Sequence, residues 1–152
     1  MVSGVSSVSL RARHSCAVTT AGAVKCWGKN ASGQLGNNST ANKLSPTTVS
    51  GMSSGMSAVS AGQKHACGLT TAGGVKCWGY NNSGELGNNT TTNSLVPVDV
   101  SGLATGVSAI GIGISHSCAL TSGGIKCWGY NGQGQVGDNT TTQRSAPVQV
   151  KN

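Results

Sequence analysis

One stretch of the chain occurs three times at an almost constant interval. Each copy places a histidine two residues before a cysteine, followed by a short turn, a second cysteine, a tryptophan and a glycine-rich run. The histidines are His14, His65 and His116, and they are 51 residues apart. Repeats of about 40 to 50 residues built from short β segments are typical of propeller blades. A chain with this period has to place three copies of one small unit side by side.

Each copy contains four candidate strands and no apolar pattern with the period of a helix. The first strand is a run of small apolar residues, and the second and third flank the turn between the two cysteines. Glycine supplies the positive φ that such a tight turn needs. The fourth strand starts at a proline, where no ladder bond is lost. In the first copy the four runs are 5–10, 14–19, 24–28 and 47–49.

The six cysteines form three pairs, and each pair flanks one hairpin turn. Cysteines opposite one another on antiparallel strands lie within reach of a disulfide, which favours an oxidising compartment. Buried free thiols in a reducing compartment are one alternative, and a metal site is another, although metal-binding cysteines usually have closer spacing. The predicted disulfides are Cys16–Cys26, Cys67–Cys77 and Cys118–Cys127.

The histidine and the tryptophan of each copy have a structural and a functional interpretation. A ring of histidines could bind metal or titrate, but a residue present in every copy is better explained as a buried group that bonds a backbone carbonyl. The tryptophan follows a cysteine, so the two point to opposite faces of a blade. We expect Trp27, Trp78 and Trp128 to pack between blades rather than bind a ligand. Asn30, Asn81 and Asn131 are predicted to bond to the backbone that follows them.

One position varies where the rest of the repeat is constant. After Trp-Gly the copies carry Lys29, Tyr80 and Tyr130, which include the only two tyrosines of the chain. A constant framework with a variable residue at a loop entry is typical of a recognition surface, and tyrosine is enriched in binding hot spots. A solvent-facing turn residue is the alternative. We predict that these three residues contact a protein partner.

Composition argues against several classes of function. The net charge is +7, from ten basic and three acidic residues. These basic residues are scattered along the chain without interleaved aromatics, which is not the pattern of a nucleic-acid-binding surface. No apolar run approaches the about 20 residues of a membrane span. With three acids and no unrepeated histidine or cysteine, we expect neither enzymatic activity nor a cofactor or metal.

The N-terminus lacks the basic and apolar regions of a signal peptide. The chain is therefore either cytosolic or a mature segment that begins with an added Met. The paired cysteines favour the second alternative, because disulfides persist in oxidising compartments. We expect an extracellular or periplasmic location.

The repeat resembles that of the regulator of chromosome condensation family along essentially the whole chain. The shared pattern is His-x-Cys-Ala-Leu-Thr, then Gly-x-Val-Lys-Cys-Trp-Gly-x-Asn-x-x-Gly-Gln-Leu-Gly, and later Pro-x-x-Val. The cysteine-bearing version looks like bacterial exported members, which include a propeller inhibitor of β-lactamases. The resemblance implies a propeller, commonly of seven blades, that binds proteins with one face of its ring. Eukaryotic members bind a small GTPase and nucleosomes, and bacterial ones bind β-lactamases.

We therefore predict an all-β chain in which residues 1–152 form one array of three four-stranded blades, at about 5–50, 56–100 and 107–150. Three blades cannot close a ring, and an open array exposes two apolar faces. Either the chain is an excised fragment or oligomerisation completes the ring. A homodimer of six blades is preferred, because two-fold closure is common, and a trimer would give nine.

Two functions from different classes fit this architecture. The first is a non-catalytic binding or scaffold module that presents one loop face to a protein partner. The second is a structural fragment of amplified or excised repeats that assembles into a closed ring and has no ligand of its own. The near-identity of the copies supports the second, and the variable position supports the first.

Overall fold

The computed structural model describes residues 4–151. Every helix or strand element in that range is a β-strand. The strands form three antiparallel sheets of four, each paired in chain order, so each sheet is one blade. Blade one contains β1 Val5–Arg11, β2 His14–Thr19, β3 Val24–Gly28 and β4 Lys43–Thr48. Blade two contains β5 Met56–Ala61, β6 His65–Thr70, β7 Val75–Gly79 and β8 Ser94–Asp99. Blade three contains β9 Val107–Ile112, β10 His116–Thr121, β11 Gly124–Gly129 and β12 Arg144–Gln149.

The central hairpin of each blade brings its two cysteines directly opposite one another. Cys16 pairs with Cys26 in the register of β2 and β3, and their Cα atoms are 4.1 Å apart. The turn between these strands uses Gly22, whose φ of +78° is one that other residues rarely adopt. All three predicted disulfides are present, so these cysteines are neither free thiols nor metal ligands: Cys16–Cys26, Cys67–Cys77 and Cys118–Cys127.

The outermost strand of each blade differs from its prediction. We expected the fourth strand of blade one at 47–49, with Pro46 at its start, but β4 is Lys43–Thr48 and Pro46 lies inside it. The register of β3 and β4 shifts between Cys26 and Gly28, so the ladder is already interrupted where the proline lies. A proline without an N–H is tolerated there because β4 is an edge strand.

The blades pack face to face, with the disulfide face of one against the tryptophan face of the next. At the first joint, between blades one and two, Trp78 lies in a buried cluster with Cys16 and Cys26. At the second joint, between blades two and three, Trp128 lies in an equivalent cluster with Cys67. The expected placement of these two tryptophans between blades is confirmed.

The outer faces of the array have no neighbouring blade within residues 4–151. Blade one presents the face of Trp27, which we term the head face, and blade three presents the face of the Cys118–Cys127 disulfide, the tail face. Trp27 is half-buried, whereas Trp78 and Trp128 are 0% exposed. A tryptophan in this repeat is therefore buried by the blade that precedes it. No helix long and apolar enough to cross a membrane exists in the described range.

Candidate functional site

The variable position of each blade lies beside the turn between its first and second strands. The backbone N–H of Lys29 donates to the carbonyl of Arg13 at 2.8 Å, which places the two residues at one end of blade one. The same bond recurs in the other blades, from Tyr80 to Lys64 at 3.0 Å and from Tyr130 to Ser115 at 2.8 Å. The three candidate partner-binding residues therefore occupy equivalent places at one end of the array.

A buried asparagine fixes the long loop that follows each variable residue. The side-chain oxygen of Asn30 accepts from the N–H of Leu35 at 2.9 Å. Its amide nitrogen donates to the carbonyls of Ser39 at 2.8 Å and Ala41 at 3.1 Å. Asn81 and Asn131 make the same bonds in their blades, as the sequence predicted for the following backbone. The loop is thereby a rigid support for the residue at its entry.

A groove of about 350 Å³ opens at this end between blades one and two. Three cations line it: Arg13 from the turn of blade one, Lys29 from the variable position, and Lys64 from the turn of blade two. Arg11, the last residue of β1, lines a neighbouring groove with Arg13. We term the surface formed by Arg11, Arg13, Lys29 and Lys64 the basic end. Four of the ten basic residues of the chain thus share one surface.

The acidic residues do not neutralise the basic end. Asp99 pairs with Lys76 at 2.6 Å on the outer strands of blade two. Asp138 bonds Thr140 and Arg144, and these hydrogen bonds lower the pKa of its carboxyl to about 2. Glu85 is buried, and burial raises the pKa of its carboxyl. The basic end therefore keeps a net positive charge.

The two tyrosines give the same end an aromatic part. The ammonium of Lys64 lies 5.1 Å from the centre of the Tyr80 ring, a distance at which a cation and an aromatic face attract. Tyr130 is 40% exposed and Ile114 is 55% exposed, and both line a second groove of about 410 Å³ with Arg11. The surface is therefore basic at the groove between blades one and two, and mainly apolar and aromatic at blade three, where Arg11 reaches the second groove.

His14 and His65 lie at the two inner joints, and His116 lies at the equivalent place on the outer face of blade three. His65 is buried, and its Nε2 lies 3.0 Å from the hydroxyl of Ser117 in the next blade. His14 is buried with neither ring nitrogen bonded, so the predicted bond to a backbone carbonyl is wrong for both residues. Burial lowers the pKa of His14 to about 4, and burial together with His14 and His116 lowers the pKa of His65 to about 3. Within residues 4–151 no three metal-ligating side chains come together.

The sequence prediction names Lys29, Tyr80 and Tyr130 but does not include Arg13 and Lys64, because basic residues far apart in the chain give no sign by themselves that they share a surface. One signal could have found them. Aligned on the histidines, Arg13 and Lys64 occupy the same position in their copies, directly before His14 and His65. Equivalent residues of adjacent blades lie near each other, so the alignment alone places both cations at one end.

Models of the regulator of chromosome condensation (RCC1) repeat match most of the chain. One model matches residues 21–69 and 72–120, and a second matches 5–34, 56–85 and 107–135. The chain belongs to the RCC1 repeat family. The second model follows the blades, since each of its matches begins at or next to the first strand of a blade.

Two relatives that share these repeats are much longer than this chain. The human E3 ubiquitin-protein ligase HERC2 is 35% identical over 120 residues, which cover 78% of this chain and 2% of HERC2. The ultraviolet-B receptor UVR8 of Arabidopsis thaliana is 33% identical over 112 residues, which cover 71% of this chain and 25% of the receptor. The chain therefore spans a quarter or less of these relatives.

Solved structures share the blade arrangement over almost the whole chain. Human WBSCR16 superposes with a TM-score of 0.84 at 26% identity, covering 97% of this chain and 40% of that one. Prp20p of Saccharomyces cerevisiae, described together with its binding to Gsp1p and histones, gives 0.86 at 19% identity, covering 98% and 39%. The Prp20p likeness establishes the fold alone. The β-propeller architecture is thereby confirmed.

Proposed function

We propose that the chain is a non-catalytic propeller module whose basic end binds an acidic segment of a protein partner. The groove between blades one and two carries this proposal, because Arg13, Lys29 and Lys64 line it together. Electrostatic complementarity of this kind selects partners and accelerates their encounter. The buried asparagines support the site, since they hold the loops that present Lys29 and its equivalents.

Tyr80 and Tyr130 extend the same surface toward blade three. A partner with an acidic stretch followed by an apolar residue would match the change from basic to aromatic along this end. Tyr130 and Ile114 are exposed enough to anchor that apolar residue, at 40% and 55%. Aromatic anchors of this type often dominate the binding energy of an interface.

The charged residues of the chain support a non-catalytic role. Each acid is either buried, as Glu85 is, or paired with a base, as Asp99 and Asp138 are. None of the three lies in the groove with the basic residues, so no acid–base pair faces a substrate there. HERC2 is a ligase, but this chain covers 2% of it, and Prp20p offers protein binding on the same fold.

The disulfides and the outer faces of the array support a location and an assembly for the module. Three disulfides favour an extracellular or periplasmic location, where such bonds persist. We further propose that the chain self-associates to complete its ring, as a homodimer of six blades in preference to a trimer of nine. The half-buried Trp27 on the head face supports this second function.

Binding of a labelled glutamate peptide tests the proposed role of the basic end. A fluorescein-labelled peptide of about ten glutamates should raise its anisotropy on titration, and about 0.3 M salt should weaken the binding. Lys29→Glu and Lys64→Glu should each weaken it about tenfold or more, because each replaces an attraction by a repulsion. Lys126→Glu makes the same change of charge on β11, away from the groove, and should change the affinity much less.

Two further arms separate this function from its alternatives. An otherwise identical glutamine peptide should not bind, and Tyr130→Ala should weaken a glutamate peptide that ends in leucine more than one that ends in serine. Equal losses with Lys29→Glu and Lys126→Glu would show attraction to net charge alone and would remove the proposed site. Tighter binding of a DNA strand of the same charge would replace the protein partner by a nucleic acid.

A further inference from the structure

The two inner joints of the array are held by the same hydrogen bonds. At the second joint, the indole N–H of Trp128 donates to the carbonyl of Glu85 at 2.8 Å, and the N–H of Asn89 donates to the carbonyl of Ser145 at 2.9 Å. At the first joint, the corresponding bonds run from Trp78 to Gln34 at 3.0 Å and from Asn38 to Leu95 at 3.0 Å. The same two hydrogen bonds thus connect each blade to the next one.

The head and tail faces carry the groups that make these hydrogen bonds at the inner joints. Within residues 4–151 these groups have no partner from a neighbouring blade. The head face offers the indole of Trp27 and the carbonyl of Leu44, whose side chain is fully exposed. The tail face offers the carbonyl of Gln135 and the N–H of Asn139, which stand where Glu85 and Asn89 stand in blade two. Each hydrogen-bond donor on one face therefore matches an acceptor on the other face.

Close-packed glycines at the joints leave a space of matching shape on the tail face. A Cβ atom added to Gly87 would meet the Trp128 ring at 2.7 Å, and one added to Gly84 would meet Ser145 at 2.5 Å. At Gly134, the equivalent of Gly84, a Cβ atom would meet no described atom within 4 Å. Around Gly134, blade three therefore offers a space of the shape that receives a neighbouring blade at the inner joints.

The exposed apolar side chains of the two faces are the equivalents of core residues. Val8 on the head face is 59% exposed, whereas Val59 at the same place in blade two is 8% exposed and lies in the core of the first joint. Leu120 on the tail face is 46% exposed, whereas Leu69 at the same place in blade two is 6% exposed. Each face therefore leaves uncovered a residue that an inner joint buries.

The histidine contact extends the match to polar side chains. At the second joint, His65 lies 3.0 Å from the Ser117 hydroxyl, and that hydroxyl donates to the Glu85 carbonyl at 3.0 Å. Blade one carries Ser15 at the position of Ser117, and blade three carries His116 at the position of His65. A joint between blades three and one would reproduce this serine bridge, which the first joint lacks because it has Ala66.

We propose that the tail face of the chain binds the head face of a second copy. In this joint Trp27 of the second copy donates to the carbonyl of Gln135, Ser15 of the second copy bridges His116 and that carbonyl, and Val8 of the second copy packs on Leu120. Two such joints close a ring of two chains. The proposal rests on the self-association proposed above and is independent of the acidic partner.

A second copy fits these faces because the joint is heterologous. Head and tail differ from each other, so two heads cannot exchange the bonds seen at the inner joints, whereas a head and a tail can. A closed ring of two chains would also cover the exposed apolar side chains of both faces at once. Once one joint has formed between two chains, the second forms within the pair and is favoured by effective concentration.

Light scattering on single-face variants tests the joint. Wild type should have the mass of two 15.0 kDa chains, about 30 kDa. Val8→Glu disables the head alone and Leu120→Glu disables the tail alone, and each variant should fall to the mass of one chain. Both side chains are exposed, so the fold and disulfides should survive, which circular dichroism and non-reducing mass spectrometry check. Thr48→Glu is the matched control and should keep the wild-type mass. Blade two carries an acidic residue, Asp99, at the same position and still forms the first joint.

Mixing the two disabled variants decides the orientation. Val8→Glu keeps a working tail and Leu120→Glu keeps a working head, so the mixture should form one joint and return to about 30 kDa. A mixture that stays at the mass of one chain, or a single variant that remains a dimer, would overturn the head-to-tail joint. A wild-type mass of one chain at all concentrations would overturn self-association. Lys29→Glu should leave every mass unchanged, so failure of the acidic-partner proposal is visible separately.

Discussion

The two inner joints have the same backbone and tryptophan contacts but differ at two positions. The first joint has Ala66 and Gln34 where the second has Ser117 and Glu85. Both bury a tryptophan whose indole N–H donates to a backbone carbonyl. At the second joint Ser117 bridges the histidine to that carbonyl, whereas at the first joint the histidine has no hydrogen-bond partner. The tryptophan and backbone hydrogen bonds are therefore common to both joints, whereas the polar side-chain contacts differ between them.

Removal of a joint tryptophan should have the largest effect. Trp78→Ala and Trp128→Ala each delete a fully buried indole and leave a cavity, at a cost of about 3 to 5 kcal/mol in the free energy of unfolding. Urea denaturation, monitored by circular dichroism, measures both. Similar losses would support equivalent joints, whereas a loss confined to one of them would break the comparison.

Acid should destabilise both joints through their histidines. The folded-state pKa values of His14 and His65 lie below 6.5, at about 4 and about 3, so protons bind preferentially to the unfolded chain. The stability is therefore complete above pH 6.5 and is lost as the pH falls. Between pH 6.5 and 5 each histidine should cost about 2 kcal/mol. Urea midpoints across this range measure it, and replacing each histidine by glutamine should flatten the profile; an unchanged slope would contradict the assignment.

Exchange of the serine and alanine should transfer the polar bridge between joints. Ser117→Ala leaves a buried ring nitrogen of His65 unbonded and should cost about 1 to 2 kcal/mol. Ala66→Ser supplies a hydroxyl near His14 at the first joint and should raise the free energy of unfolding by part of that amount. Thermal melts of the two single variants and of the double variant provide the comparison. Destabilisation by Ala66→Ser would show that the two joints are not interchangeable.

The smallest expected effect concerns the buried carboxyl. Glu85→Gln replaces a buried acid by the residue that the other two blades carry, and Gln34 already shows that its side chain can hold the same turn. Because burial raises the pKa of Glu85, its carboxyl costs stability above pH 4.5. The variant should therefore be more stable at pH 7, on the order of 1 kcal/mol, and equal to wild type near pH 4. The reverse change, Gln34→Glu, should lose a similar amount at pH 7, and equal stability at both pH values would contradict this account.

The sequence predicted the parts of the fold that one blade determines by itself. The cysteine pairs, the hairpin turns and the asparagine bonds are local, so a single copy contains all the information needed. The outer strand was misplaced because Lys43, Leu44 and Ser45 lack an alternating apolar pattern, and only pairing with β3 makes them a strand. Periodicity is a weak signal for edge strands, since neither of their faces has to be apolar.

The candidate site and the joints depended on how blades are placed next to each other. The basic end was missed because Arg13, Lys29 and Lys64 meet only when two blades pack side by side. The partner of His65 was missed for the same reason, since Ser117 lies in the next blade. Contacts across a repeat interface require the spatial relation of two copies, which a period alone does not provide.

The mass of the wild-type chain in solution tests the central claim most directly. Sedimentation equilibrium at neutral pH, between about 1 and 100 µM, separates one chain from an assembly because association depends on concentration. The account predicts two chains, about 30 kDa, across the upper part of that range. Three chains would keep the head-to-tail joint and replace the ring of six blades by one of nine. A single 15.0 kDa species at every concentration would contradict closure by self-association.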